Sequence, residues 1–147
     1  MARVDYYAIE QGIETLLKAD TDLSEANIAI EEELTFQRGD TILIYLDRRD
    51  APAEEQTLSA GTRTRLLVTF SIWCFHFGMS KKQDVLERRD DLIGNTEIAL
   101  MQDRTLSGTV ETSWLVGGEF QTGPNPEGKG YGSGGEIQLV ADVNAIT

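Results

Sequence analysis

Asp103-Arg104-Thr105-Leu106-Ser107-Gly108-Thr109-Val110 separates two hydrophobic periods, and that change of period decides the fold class. Before it, from Lys82 to Gln102, Val85, Arg89, Leu92, Ile93, Thr96 and Leu100 recur at the three-and-four spacing of one helix face. Glu87, Arg88, Asp91 and Glu97 fall elsewhere, and Gly94 is tolerated inside such a helix at about 1 kcal/mol relative to alanine. After it, Thr109 to Glu119 alternates loosely, with Val110, Thr112, Trp114 and Val116 on one face. The last run, Glu136 to Ile146, alternates cleanly through Ile137, Leu139, Ala141, Val143 and Ala145. A helix that feeds two closing strands is an α+β signature.

Working outward, Tyr6, Ile9, Ile13, Leu16 and Leu17 give Asp5 to Ala19 the pattern of an amphipathic helix. Asp5 is its expected N-cap, and Asp20-Thr21-Asp22 its stop. Asn27 to Glu33 and Thr41 to Asp47 read as strands, with Gln37-Arg38-Gly39-Asp40 as the loop between them. Arg48 to Gly61 reads as a solvated loop. Arg63 to Phe77 is the longest strand, with Leu66, Val68, Phe70, Ile72 and Cys74 on one face and Arg65, Leu67, Thr69, Ser71 and Trp73 on the other. Its fifteen residues span about 50 Å when extended, in a domain expected to be about 38 Å across, so a bend or a projecting hairpin is expected.

Ser80 with Gln83 suggests a capping box for the second helix. Gly117 to Gly135, rich in glycine and carrying Pro124 and Pro126, reads as a long irregular loop. The expectation is one α+β domain over residues 1–147: an antiparallel sheet of about four to five strands with a long hairpin and two helices on one face.

Composition limits the functions open to this chain. Its hydrophobic content of 40% suits a globular domain, and the formal net charge of −12 repels nucleic-acid phosphates. The single cysteine, Cys74, allows no intrachain disulfide, which suits synthesis in a reducing compartment. No signal-peptide core opens the chain, and no apolar run reaches membrane-spanning length.

The chemical candidates are thin. Cys74 and His76 are same-face neighbours on one strand, and one cysteine with one histidine falls short of a structural zinc site. Glu31-Glu32-Glu33 and Asp90-Asp91 read as solvated acids, because neighbours in sequence rarely converge on one point. Gly130-Tyr131-Gly132-Ser133-Gly134-Gly135 precedes a strand where a phosphate loop needs a helix N-terminus. Trp73 and Trp114 read as core or interface, and Arg63, Arg65, Lys81 and Lys82 as solvated charges. No catalytic, cofactor-binding or metal-ligating residue is assigned.

Over nearly its whole length the chain resembles the tail terminator proteins of long-tailed bacteriophages. The likeness rests on the opening helix, the Arg63–Phe77 strand, Glu87-Arg88-Arg89-Asp90-Asp91-Leu92, the link Leu106-Ser107-Gly108-Thr109-Val110 and the closing Glu136-Ile137-Gln138-Leu139-Val140-Ala141-Asp142-Val143. The resemblance implies a virion structural protein of the neck, with no catalysed reaction and no cofactor. It implies a hexameric ring, assembled in the host cytoplasm, that caps the head-proximal end of the tail tube and joins the head connector or stopper. Its partners would be further copies of itself, the tail tube protein and the connector, with DNA passing through the lumen without specific binding. The two long loops are the expected docking surfaces, with Arg48, Arg49, Asp50, Glu54, Glu55 and Tyr131 as contact residues. The alternatives are another head-tail joining protein (a stopper or head completion factor) and, from a different class, a small α+β ligand-binding domain or enzyme.

Overall fold

A computed structural model describes residues 4–34, 39–51, 63–79, 81–124 and 130–146. The elements run α1 (Tyr6–Lys18), β1 (Asn27–Ile30), β2 (Gly39–Asp50), β3 (Arg63–Gly78), α2 (Lys82–Gln102), β4 (Thr112–Gly117), β5 (Phe120–Pro124) and β6 (Tyr131–Ile146). Asp5 caps α1 by accepting the Ala8 amide at 3.1 Å, as its sequence suggests. A 3-10 turn, Thr21–Leu23, follows α1 and is capped in the same way by Asp20. Helix α2 has the bounds its periodicity predicts, but its N-cap is Lys81, with no side-chain cap bond. Ser80, expected to cap it, lies outside the described residues.

The sheet has six strands in the order β1-β2-β3-β6-β4, with β5 also on β6. It is mixed where a purely antiparallel sheet was expected: β1 runs parallel to β2, from Asn27 opposite Thr41 to Ile30 opposite Ile44. The chain turns out of β1 at Glu31, whose φ of +54° reverses its direction. Every other pairing is antiparallel.

Strand β3 holds the centre. It pairs with β6 over its full length, from Arg63 opposite Ile146 to Gly78 opposite Tyr131, and with β2 from Gly39–Phe77 to Asp50–Leu67. The one register shift against β2 falls between Leu46 and Arg48. The long strand is thus paired on both sides.

Three expected loops are partly sheet. Gly39 and Asp40 open β2, and Arg48 to Asp50 extend it, while residues 52–61 of the predicted Arg48–Gly61 loop lie outside the described residues. The Gly117–Gly135 stretch contains β5 and the first turns of β6, paired from Phe120–Gly135 to Pro124–Tyr131. Two of its glycines are required by close approach to rings on β3: a Cβ on Gly132 would sit 2.3 Å from the Phe77 ring, and one on Gly134 would sit 2.4 Å from the Phe75 ring. Glycine reads as flexible in sequence, but here it gives aromatic rings room on the neighbouring strand.

Both helices pack on one face of the sheet. Ile9, Ile13 and Leu17 of α1 and Leu92, Ile93, Ala99 and Leu100 of α2 join Ile42, Ile44, Phe70, Ile72, Cys74, Ile137 and Leu139 in one buried cluster. The link after α2 locks the helices together. Asp103 accepts bonds from Thr105 N, Thr105 Oγ1 and Ser107 N, which hold its carboxyl below the usual value. This turn carries Leu106 and Ser107 at φ of +50° and +62° and drives the Leu106 side chain into full burial. Burial of a leucine is worth about 1.5–3 kcal/mol, which offsets part of the roughly 2–6 kcal/mol that two such residues cost, and the bonds to Asp103 add to it.

Gly12 of α1 lies directly on this link. A Cβ there would come 2.4 Å from the Leu106 carbonyl oxygen, and Ser107 Oγ donates to the Gly12 carbonyl at 3.2 Å. Gly12→Val is expected to destabilise the fold by about 1–3 kcal/mol. Urea unfolding measures this as a lower midpoint, with the slope unchanged.

Candidate docking surfaces

Strands β4 and β5 together form one outer edge along β6. The chain steps between them at Gly117, with φ of +137°, and Gly118, where a Cβ would fall 1.6 Å from the Glu136 carbonyl oxygen. Glu136 N donates to Glu119 O at 2.7 Å across the step, so the edge follows β6 from Asp142 to Tyr131. Among the described residues β4 and β5 pair with β6 alone, which leaves their outer backbone groups presented to a neighbour. Val116 is 57% and Phe120 66% exposed on this edge.

Arg89 fastens the edge to α2. Its guanidinium bonds Thr122 Oγ1 and Ser133 Oγ, each at 3.4 Å, lies 5.2 Å from the Phe120 ring centroid, and pairs with Asp90 at 2.9 Å. Ser113 Oγ and Arg104 Nε exchange bonds with the backbone carbonyls of Arg104 and Ser113, which pins β4 to the link after α2. The edge is therefore braced at both ends.

The predicted contact residues do not come together. Arg48, Arg49 and Asp50 lie at the far end of β2, beside Leu67 to Thr69 of β3, and Tyr131 lies opposite Gly78. The ends are eleven residues of β3 apart, about 36 Å at ~3.3 Å per residue. Arg48 pairs with Asp50 at 3.4 Å in an exposed bridge of little energetic weight. Arg49 donates to Tyr6 Oη at 3.0 Å and lies over the Tyr6 ring, which ties this end of the sheet to α1 and raises the Arg49 pKa. Tyr131 is 39% exposed. Glu54 and Glu55 lie outside the described residues.

The chemistry weighed from sequence has structural explanations. Cys74 is wholly buried, donates to Thr96 Oγ1 at 3.6 Å, and burial pushes its thiol up to about 12, so it stays protonated at neutral pH. His76 Nδ1 meets Asp40 Oδ1 at 2.6 Å across β2 and β3. Among the described residues no three of His, Cys, Asp or Glu are grouped to hold a metal, and no helix is long and apolar enough to cross a membrane. Arg65, read as a solvated charge, bonds Asp142 at 3.1 Å.

One electrostatic feature was hidden in the sequence. Glu10, 4% exposed on α1, shares a hydrogen bond with Glu31 at the end of β1, while its Oε2 is buried without a hydrogen-bond partner. Glu31 Oε1 in turn accepts the Leu46 amide at 2.8 Å. Two carboxyl groups share a hydrogen bond only when one keeps its proton; burial, then Glu31, raises the Glu10 pKa from 4.5 to about 7. Sequence spacing gave no signal for this pair, because twenty-one positions separate its members.

No family model matches this chain, and no curated protein matches it. Among solved structures it is similar to the sheath/tube terminator, in the extended state, of PVC, an extracellular contractile injection system. The identity is 12% and the TM-score 0.45 over 99% of this chain and 58% of the other, so this chain spans less than two thirds of that protein's length.

Because the Glu10 pKa is raised on folding, its contribution to stability is full below pH 4.5 and is lost as pH rises through about 7. Glu10→Gln keeps the shape without the charge. The variant is expected to exceed the parent in stability by about 1–3 kcal/mol at pH 8 and to show no such gain at pH 4.5. Chemical denaturation at the two pH values measures the difference.

Proposed function

We propose that this chain is a structural tail protein of the terminator type, which closes into a ring at the head-proximal end of a tail tube, ends its growth and offers a joining surface to the head connector. The observation that carries this reading is the braced outer edge β4–β5, which no further strand covers among the described residues and which exposes Val116 and Phe120. A free, stiffened edge suits strand addition by a neighbouring copy. Repeated head to tail, such a contact closes into a ring when the rotation allows. The sequence resemblance supplies the rest: about six copies, a tube subunit on one side and a connector or stopper on the other.

The two distant groups of contact residues fit a subunit that meets different partners at its two ends. Arg48, Arg49 and Asp50, with Glu54 and Glu55 of the following segment, serve one contact, and Tyr131 serves the other. The net charge of −12 suits a channel through which DNA slides without adhering. In this reading the protein is a part of the particle and catalyses nothing.

Sedimentation across a wide concentration range tests the ring. The expected result is a species of about six copies, and a strict monomer throughout, also in the presence of tube subunits, would count against the reading. Val116→Lys, on the exposed edge, is expected to shift the protein to monomer while the midpoint of thermal unfolding stays within about 2 °C. Tyr131→Ala is expected to weaken assembly without lowering monomer stability; a drop of more than about 1 kcal/mol in the monomer would assign Tyr131 to the packing of the fold instead.

A further inference from the structure

The sheet face turned away from the helices carries an aromatic ladder along β3. Trp73 and Phe75 stack with centroids 5.8 Å apart and ring planes within 10°, and Phe75 and Phe77 follow at 6.0 Å and 16°. Beside the ladder lies a shallow groove of about 230 Å³ lined by Leu34, Leu43, Tyr45, Trp73, Phe75 and Gln121. Its floor is apolar and β-paired; its rim is not.

The rim is acidic. Tyr45 Oη donates to the Glu32 carbonyl, and its pKa is raised by burial and then by the negative charges of Glu31, Glu33 and Glu32. Glu32 and Glu33, which directly precede the lining residue Leu34, are exposed, whereas Glu31 is turned to the Leu46 amide and Glu10. On the other flank Glu136 is the register partner of Trp73 and accepts a bond from Ser71 Oγ at 2.9 Å. Among the described residues that line the groove none is basic, and Arg65, further along the same face, is already bonded to Asp142. A second copy would bring another net charge of −12 toward this rim, so like-charge repulsion favours a different occupant.

We propose that the groove docks an extended segment of another protein in which apolar or aromatic side chains alternate with lysine or arginine. In such a segment, side chains on one face recur every ~6.6 Å, close to the spacing of the ladder rings, so successive apolar groups can sit over successive rings. The intervening cations leave from the opposite face of the segment, and their long side chains fold back over its edges to reach Glu32, Glu33 and Glu136 at the rim. The inference goes beyond tube capping and holds whether or not the chain closes into a ring.

The test uses the full chain with nitrogen-15 labelling and two synthetic probes, Ac-KLKFKL-NH2 and Ac-ELEFEL-NH2, followed at the indole N–H signals of Trp73 and Trp114. The basic probe is expected to shift the Trp73 signal saturably, to bind at least about tenfold more tightly than the acidic probe, and to weaken as salt rises. The exposed double variant E32K/E33K is expected to remove that preference while the protein keeps its spectrum, and Gln121→Arg, also exposed, to weaken the basic probe. Equal binding of both probes, no response at Trp73, or an E32K/E33K variant that still prefers the basic probe would overturn the proposal. A Trp73 shift that depends on protein concentration without any probe would assign the face to a second copy and overturn it too. These outcomes are read independently of oligomer mass, so failure here and failure of the ring are distinguishable.

Discussion

A central strand sixteen residues long, β3, must have its backbone donors and acceptors satisfied on both sides along its length, and the rest of the structure follows from that requirement. One side is met by β2, the other by β6, which is also sixteen residues long. The match in length draws the glycine-rich run into the sheet. Phe75 and Phe77 then occupy the space that side chains on Gly132 and Gly134 would have filled, so the paired strands pack closely without a clash. With β3 enclosed, the free backbone is displaced to the outer strands, where β4 and β5 present it next to exposed apolar side chains.

The same arrangement produces two unlike faces. Alternation along β3 sends Phe70, Ile72 and Cys74 to the helices and Ser71, Trp73 and Phe75 to the opposite side. Helix α1 cannot settle on its face by apolar packing alone, since Gly12 must meet the Leu106 backbone and Glu10 must come to rest against Glu31. The first contact is steric and independent of pH. The second brings two carboxyl groups to one proton and raises the Glu10 pKa to about 7, which makes the junction of α1 with β1 responsive to pH near neutrality. Burial of an acid is costly, and this one is retained where the chain turns out of β1 at Glu31.

Much of this was legible in the sequence because the signals were local. Asp5 before a run of apolar residues at three-and-four spacing marks α1, and the same spacing after Lys82 marks α2. Alternation from Arg63 marks β3, and from Glu136 the second part of β6. What misled was composition. Gly39 and Asp40, Arg48 to Asp50, and Gly117 to Gly135 carry the residues of loops, yet a long partner strand supplies hydrogen bonds that outweigh their weak intrinsic preference for extension. The contact residues chosen on the strength of those loops accordingly lie at opposite ends of a sheet.

By itself, the sequence determined the α+β class, the two helices with the apolar part of their buried faces, and the central strand, because each depends on residues within a few positions of one another; Glu10, which the same spacing puts on the polar face of α1, is buried. Only the tertiary structure decided the parallel pairing of β1, the braced edge of β4 and β5, the Glu10–Glu31 pair and the acidic aromatic groove. Those features join residues distant in the chain, and their energy comes from groups that meet only after the sheet has formed: a ring over a glycine on the next strand, a carboxyl beside a carboxyl, an indole in register with a glutamate. Local propensity carries no record of such meetings, since register and strand order select them.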